Sequence, residues 1–171
     1  GGIDALTQIL ADFPADCPPT VIVLQSEPAL VDTFINRITG EADCKIVVAK
    51  DGAALTPGTV HIAADPEKHV VFEPGSPPKL RMVMRDPVDG ARPSATLLFG
   101  TMARAGVPAV GALLTGMGAD GAKGLKSRQI RPMRIVLICW TREKYDWVSC
   151  LLQSGLRPYA APCGVQQKRL P

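Results

Sequence analysis

The chain has 171 residues, of which 46% are hydrophobic and 20% charged, and its formal net charge is +3. This composition is typical of a single globular domain and excludes a disordered or fibrous chain. Basic residues are scattered, no apolar run approaches the roughly 20 residues that span a bilayer, and no signal peptide opens the chain. We therefore expect a cytoplasmic protein that binds no nucleic acid and does not insert into a membrane.

The five cysteines include no C-x-x-C pair, and the chain has only two histidines. This set predicts no structural zinc site, and we expect neither a metal nor a cofactor. Cys44 and Cys139 border or lie in Val/Ile-rich runs, where a thiol behaves as a small apolar side chain. We predict buried free thiols.

The first fifty residues alternate between helical and strand patterns. Asp4 is the predicted N-cap of the first helix, and Gly40 is suited to end the second. The segments in order are a helix at 4–13, a strand at 20–25, a helix at 28–40 and a strand at 45–49. This order predicts an α/β fold, with a doubly wound, mostly parallel sheet and helices on both faces.

The middle of the chain changes character. Three short strand patterns separated by Pro and Gly signals predict a β hairpin or meander inserted beside the main sheet. They lie at 59–63, 69–72 and 80–84, and a helix capped by Ser94 and ending at Gly106, a strand at 109–114, a strand at 134–139 and a helix at 145–152 follow.

A glycine-rich turn follows the strand pattern at 109–114. Its glycines at positions 116, 118 and 121 permit tight turns, and Asp120 would stand at the carboxyl end of that strand. A carboxylate at this place can orient a histidine in a hydrolase triad.

The same glycines also suit a second interpretation. Gly116, Gly118 and Gly121 match the dinucleotide pattern G-x-G-x-x-G, with Glu143 or Asp146 as the later acidic residue. Asp120 would, however, face a pyrophosphate unfavourably. A nucleotide-binding domain is therefore a distant alternative, which equilibrium dialysis with NAD or ATP would test.

Several segments resemble the CheB methylesterase family, in order and at compatible spacing. The turn Thr115–Ala122 resembles the family's T-G-M-G-x-D-G-A segment, and Pro57–Ala63 resembles its P-G-T-V-Y-I-A stretch. Arg92–Ser94 is similar to part of its H-R-P-S-V-D stretch, and Gly1–Gly2 to the end of its S-T-G-G nucleophile turn. The resemblance covers residues 1–125, so we expect a single domain over 1–171 with a divergent tail at 126–171.

The resemblance implies hydrolysis of glutamate methyl esters on chemoreceptors, with deamidation of glutamines in many members, by serine acyl transfer. It assigns Asp120 as the triad acid and places Met117, Gly116 and Gly118 in the turn near the oxyanion. The nucleophilic serine would precede Gly1 by two positions, on a strand whose absence would leave a gap in the sheet.

Departures from the family pattern cluster at this expected site. The segment Val23–Pro28 matches the family's V-V-Q-H-M-P, which puts Ser26 where the catalytic histidine belongs. A serine cannot act as a base at neutral pH. Ala91 and Thr96 replace the His and Asp of the H-R-P-S-V-D stretch. The sequence thus predicts a methylesterase of impaired activity or, alternatively, an inactive module that binds a chemoreceptor, a receiver domain or a methyltransferase.

Overall fold

The structure is a computed structural model that describes residues 2–114, 120–121 and 136–140, the last of these ranges as backbone. Within them, helices and strands alternate near the start of the chain, as predicted. The elements in chain order are α1 (Gly2–Ala11), β1 (Thr20–Leu24), α2 (Pro28–Thr39), β2 (Lys45–Val48), β3 (Thr59–Ala63), β4 (His69–Glu73), β5 (Lys79–Val83), α3 (Ala95–Ala105), β6 (Val110–Leu114) and β7 (Val136–Trp140).

The main sheet is parallel and has the order β2-β3-β1-β7-β6. Strand β1 is buried at all five positions, as its continuous apolar sequence predicts for a strand covered on both faces. One face packs with α1 and α2, through Leu6, Leu10, Phe34 and Ile38 among others. The opposite face packs with α3 and with β4, through Leu98, Phe99, Val70 and Phe72 among others. The predicted doubly wound α/β fold is therefore confirmed.

Three expectations need correction. Asp4 lies inside the first turn of α1 and does not cap it, because the helix already begins at Gly2. Strand β3 pairs in parallel with β1 and β2, so only β4 and β5 form the antiparallel hairpin beside the main sheet. The expected gap in the sheet is not found, because β7 lies between β1 and β6 and pairs with both.

Other boundaries agree closely with the patterns. Ser94 caps α3 through a hydrogen bond that its side chain accepts from the Leu97 amide, and Gly106 ends this helix at φ 64°, in the left-handed region. Cys44 is buried, as predicted, and so is Cys17. The helix predicted at 145–152 lies outside the described residues. Among the helices of the described part, none is long and apolar enough to cross a bilayer.

Candidate functional site

Asp120 is the centre of a buried hydrogen-bond network at the N-terminus of α3. Its side chain accepts bonds from four donors among the described residues, and the residue is only 5% exposed. The donors are the Ser94 hydroxyl (2.7 Å to Oδ1), the Thr96 amide (3.0 Å to Oδ1), the Ala95 amide (2.8 Å to Oδ2) and the Gln25 side-chain amide (3.0 Å to Oδ2). Because a carboxylate offers about four acceptor positions, these donors take its full capacity.

This arrangement follows from the chemistry of a helix start. The first amides of an α-helix have no partner within the helix, and the positive end of the helix dipole favours an anion there. Asp120 accepts the amides of Ala95 and Thr96, the first two residues of α3. Ser94 accepts the Leu97 amide at 3.3 Å while its hydroxyl donates to Asp120. Asp120 therefore completes the N-terminal cap of α3 from a distant part of the chain.

Gln25 joins the carboxyl end of β1 to the same network. Its Nε2 donates to the Pro93 carbonyl at 2.8 Å and to Asp120 Oδ2 at 3.0 Å. The two N–H groups of one side-chain amide thus bind the turn before α3 and the carboxylate together. Ser26, the next residue, is half-buried and lies directly beyond this link.

His69 holds the same turn from the opposite side. Its Nδ1 accepts the Ser94 amide at 3.1 Å, and its Nε2 lies 3.1 Å from the Asp86 carbonyl oxygen. Since an amide can only donate and a carbonyl can only accept, these two bonds assign a neutral ring with its proton on Nε2. His69 is fully buried.

Gly121 follows Asp120 with φ 87°, a conformation that favours glycine. Its amide donates to Thr96 Oγ1 at 2.6 Å, so the residue that replaces the family's aspartate anchors this turn. A Cβ at Gly121 would lie 2.6 Å from Leu113 Cδ2 and 3.1 Å from Ala95 Cβ. Any other residue would be strained at this φ and would displace Leu113 or press against Ala95 of α3.

An open cleft of about 780 Å³ adjoins the network and is lined by Glu67, Met84, Arg85, Asp86 and Arg92. Arg92 spans it, because its Nε donates to the Pro66 carbonyl at 2.6 Å and its Nη1 to the Arg85 carbonyl at 3.3 Å. The cleft carries both charge signs, and Arg92 precedes Ser94 by two positions in the chain.

The predicted site residues are only partly covered by the described residues. Asp120 lies next to Gln25 and so near Ser26, whereas Gly116, Met117 and Gly118 lie outside the described residues. Gln25 and His69 were not predicted as members of the network, and Thr96 was placed at the expected site only as a departure from the family pattern. The available signals were that Gln25 precedes the aberrant Ser26 and that Thr96 is one of the departures from the family pattern.

The acid–base chemistry of this network is limited. The chain has two histidines. Both ring nitrogens of His69 are bonded, and neither contacts Asp120. His61 is buried in β3, where burial lowers its pKa. Neither histidine therefore stands beside Asp120 as a base. Within the described ranges, no cluster of three or more His, Cys, Asp or Glu residues could hold a metal ion.

Comparison with known proteins gives a consistent result. A family model described as CheB methylesterase matches residues 1–138, which extends past Leu125, where the sequence resemblance fades. A "Protein-glutamate methylesterase/protein-glutamine glutaminase" of Rhizobium etli is 44% identical over 126 residues, covering 73% of this chain and 36% of that protein. A protein of the same description from Agrobacterium fabrum matches equally, at 44% identity over 73% of this chain and 36% of its own length.

The chain thus spans about a third of the length of these relatives. Among solved structures, the catalytic domain of the Thermotoga maritima CheB methylesterase superposes with a TM-score of 0.67 and 19% identity. The match covers 90% of this chain and 93% of that one, which establishes the fold.

Proposed function

Because the chain belongs to the CheB methylesterase family, we propose that it serves as a protein-glutamate methylesterase domain that acts on cytoplasmic chemoreceptor helices. The names of the relatives support this reaction and add glutamine deamidation as a second activity. The observation that carries the proposal is the buried carboxylate of Asp120, which accepts a hydrogen bond from the side chain of Gln25, the residue before Ser26. We place the domain in the cytoplasm, as a single unit over residues 1–171.

The proposed chemistry is serine acyl transfer. A serine hydroxyl attacks the ester carbonyl, a base accepts its proton, and methanol leaves once that proton is returned to the methoxy oxygen. Water then releases the glutamate. Asp120 is the proposed orienting acid, and Gly116, Met117 and Gly118 form the proposed turn near the oxyanion. The nucleophile is proposed as a serine in the S-T-G-G turn that ends in Gly1–Gly2.

Ser26 limits the rate that this site can reach. Loss of the base from a triad typically lowers kcat by several orders of magnitude. A histidine at position 26 would also have to share Asp120 Oδ2 with Gln25 Nε2. We therefore expect weak methylesterase activity that Ser26→His increases by at least about tenfold.

Methanol release from a methylated chemoreceptor tests the proposal. The full-length protein, with the serine of the S-T-G-G turn in place, is compared with its Ser26→His and Ser26→Ala variants at equal concentration. Release by the parent or by Ser26→His supports the proposal, and release by neither contradicts it. Equal rates for Ser26→Ala and the parent would exclude Ser26 as the nucleophile, whereas a loss confined to Ser26→Ala would assign it that role.

A second function is favoured by the same network. The acceptor capacity of Asp120 is filled by the chain's own donors, and His69 is committed to Ser94 and Asp86. These are properties of a stable binding module with a chemoreceptor, a receiver domain or a methyltransferase as its partner. Saturable binding of a chemoreceptor tail without methanol release, unaltered in Ser26→Ala, would favour this function. Failure to bind any of the three partners would oppose it.

A further inference from the structure

His69 belongs to β4, yet it bonds to two segments that lie outside the hairpin. Its ring nitrogens contact the carbonyl of Asp86 and the amide of Ser94, which are 17 and 25 residues further along the chain. The side chain is fully buried, and neither bond belongs to regular secondary structure. His69 therefore fixes the position of the turn that leads into α3.

The position of Ser94 determines most of the hydrogen bonds that the Asp120 carboxylate accepts. Three of the four described donors to the carboxylate belong to the consecutive residues Ser94, Ala95 and Thr96. The Ser94 backbone adopts φ −105° and ψ 127°, the extended conformation of an N-cap. A shift of this residue would displace all three donors together, because they are joined by consecutive peptide units.

From this geometry we propose that His69 is a positioning residue for Asp120. It acts through Ser94: the neutral ring with its proton on Nε2 accepts the Ser94 amide and thereby sets where the hydroxyl and the two following amides meet the carboxylate. The catalytic part of this inference rests on the proposed function. Its structural part, the coupling of His69 to the surroundings of Asp120, does not.

A positioning role and a simple packing role of His69 predict different effects of its variants on the hydrogen bond to Ser94. Asn at position 69 places Oδ1 where His has Nδ1 and retains the acceptor for Ser94. Gln places Nε2 where His has Nε2 and retains only the donor to Asp86. Leu fills the space without either bond. Positioning predicts that His69→Asn preserves the Ser94 contact, whereas packing predicts no advantage of Asn over Leu.

The test measures amide hydrogen exchange by NMR in the whole chain, with the Leu80 amide of β5 as the internal reference. Relative to Leu80, the Ser94 amide is expected to exchange at least about fivefold faster in His69→Leu and His69→Gln, and to stay within about twofold of the parent in His69→Asn. The Ala95 and Thr96 amides should follow Ser94. His61→Leu, the same substitution at the other buried histidine, is the matched control and should leave Ser94 unchanged.

Methanol release by the full-length protein, with the serine of the S-T-G-G turn in place, provides the second measurement. We expect kcat to fall at least about tenfold in His69→Leu, with KM within about twofold, and to recover in His69→Asn. Equal exchange of Ser94 in the Asn and Leu variants would overturn the inference, as would unchanged exchange in Leu. If the parent releases no methanol while the exchange order holds, the proposed function fails and the coupling of His69 to Asp120 stands.

Discussion

Ser94 donates its hydroxyl proton to Asp120 Oδ1 at 2.7 Å, across 26 residues of chain. The bond is buried and charge-assisted, a class that is shorter and stronger than bonds between neutral groups. It makes the cap of α3 depend on a residue that follows β6. The proposed triad acid is therefore also a structural residue, and its substitution has consequences for stability as well as for chemistry.

Replacing Asp120 by Asn is expected to destabilise the fold by about 2–3 kcal/mol. The new NH₂ group can only donate hydrogen bonds, and it would face groups that are themselves donors. Urea unfolding measures this loss. Asp51→Asn is the matched control: Asp51 also accepts a backbone amide, from Met82 at 2.9 Å, but it is exposed. We expect the control to change stability by about 0.5 kcal/mol or less. Equal losses in the two variants would contradict the assignment of Asp120 as a buried cap.

Gly121→Ala is expected to cost about 2–4 kcal/mol, since the new Cβ would be strained at φ 87° and would meet Leu113 and Ala95. Gly52→Ala separates these two causes. Gly52 also has a positive φ, 73°, but nothing lies within 4 Å of its Cβ position. We expect this control to cost about 1 kcal/mol. Thermal unfolding of both variants checks the order, and a cost at Gly52 equal to that at Gly121 would remove the steric argument.

His61 makes stability depend on pH. It is buried in β3, its ring nitrogens have no hydrogen-bond partner in the described structure, and burial lowers its pKa from the ordinary value of 6.5. The unfolded chain then binds the proton more readily than the folded chain. Stability is therefore undiminished above pH 6.5 and falls as the pH decreases toward the lowered pKa.

Removing this histidine should remove its share of the pH dependence. The urea concentrations at the midpoint of unfolding of the parent and of His61→Phe are compared at about pH 7.5 and at about pH 5.0. Phe should lose less stability on acidification than the parent, because both proteins share all other titrating groups. An identical loss in the two proteins would show that His61 does not contribute.

Cys17 is expected to be unreactive in the folded protein. Burial, together with the neighbouring Cys44, raises the pKa of its thiol to about 11. Only the thiolate reacts readily with disulfide reagents or alkylating agents. The protein is treated briefly with iodoacetamide at about pH 8 and its peptides are examined by mass spectrometry. The peptides that contain Cys17 and Cys44 should be unmodified until urea is added. Rapid modification without urea would disprove the burial of this pair.

Sequence patterns predicted a helix, strand or cap well where a few consecutive residues determine it. The continuous apolar run of β1, the Pro28 start of α2 and the Ser94 cap need only neighbouring residues to be recognised. Asp4 misled because acidic residues suit both the N-cap and the first turn of a helix. Strand β3 was assigned to the hairpin because a short apolar run does not reveal which neighbour it pairs with.

The network around Asp120 could be predicted only in part. The carboxylate itself was identified from its place after the strand pattern at 109–114 and within a glycine-rich turn. Its contact with Gln25 joins residues 95 positions apart, and the contact between His69 and Ser94 joins residues 25 positions apart. Such bonds depend on how the elements pack, and neither residue type nor spacing encodes them.

The position of β7 has a consequence for how the chain reaches its folded state. Thr20 of β1 pairs with Val136, more than a hundred residues later, so a central strand of the sheet is supplied after β1, β3 and β6 have all left the ribosome. Contacts of such high sequence separation slow folding. Until β7 is in place, β1 and β6 each expose an edge with unpaired backbone N–H and C=O groups. Such edges are bound by chaperones and can pair with other chains, which leads to aggregation.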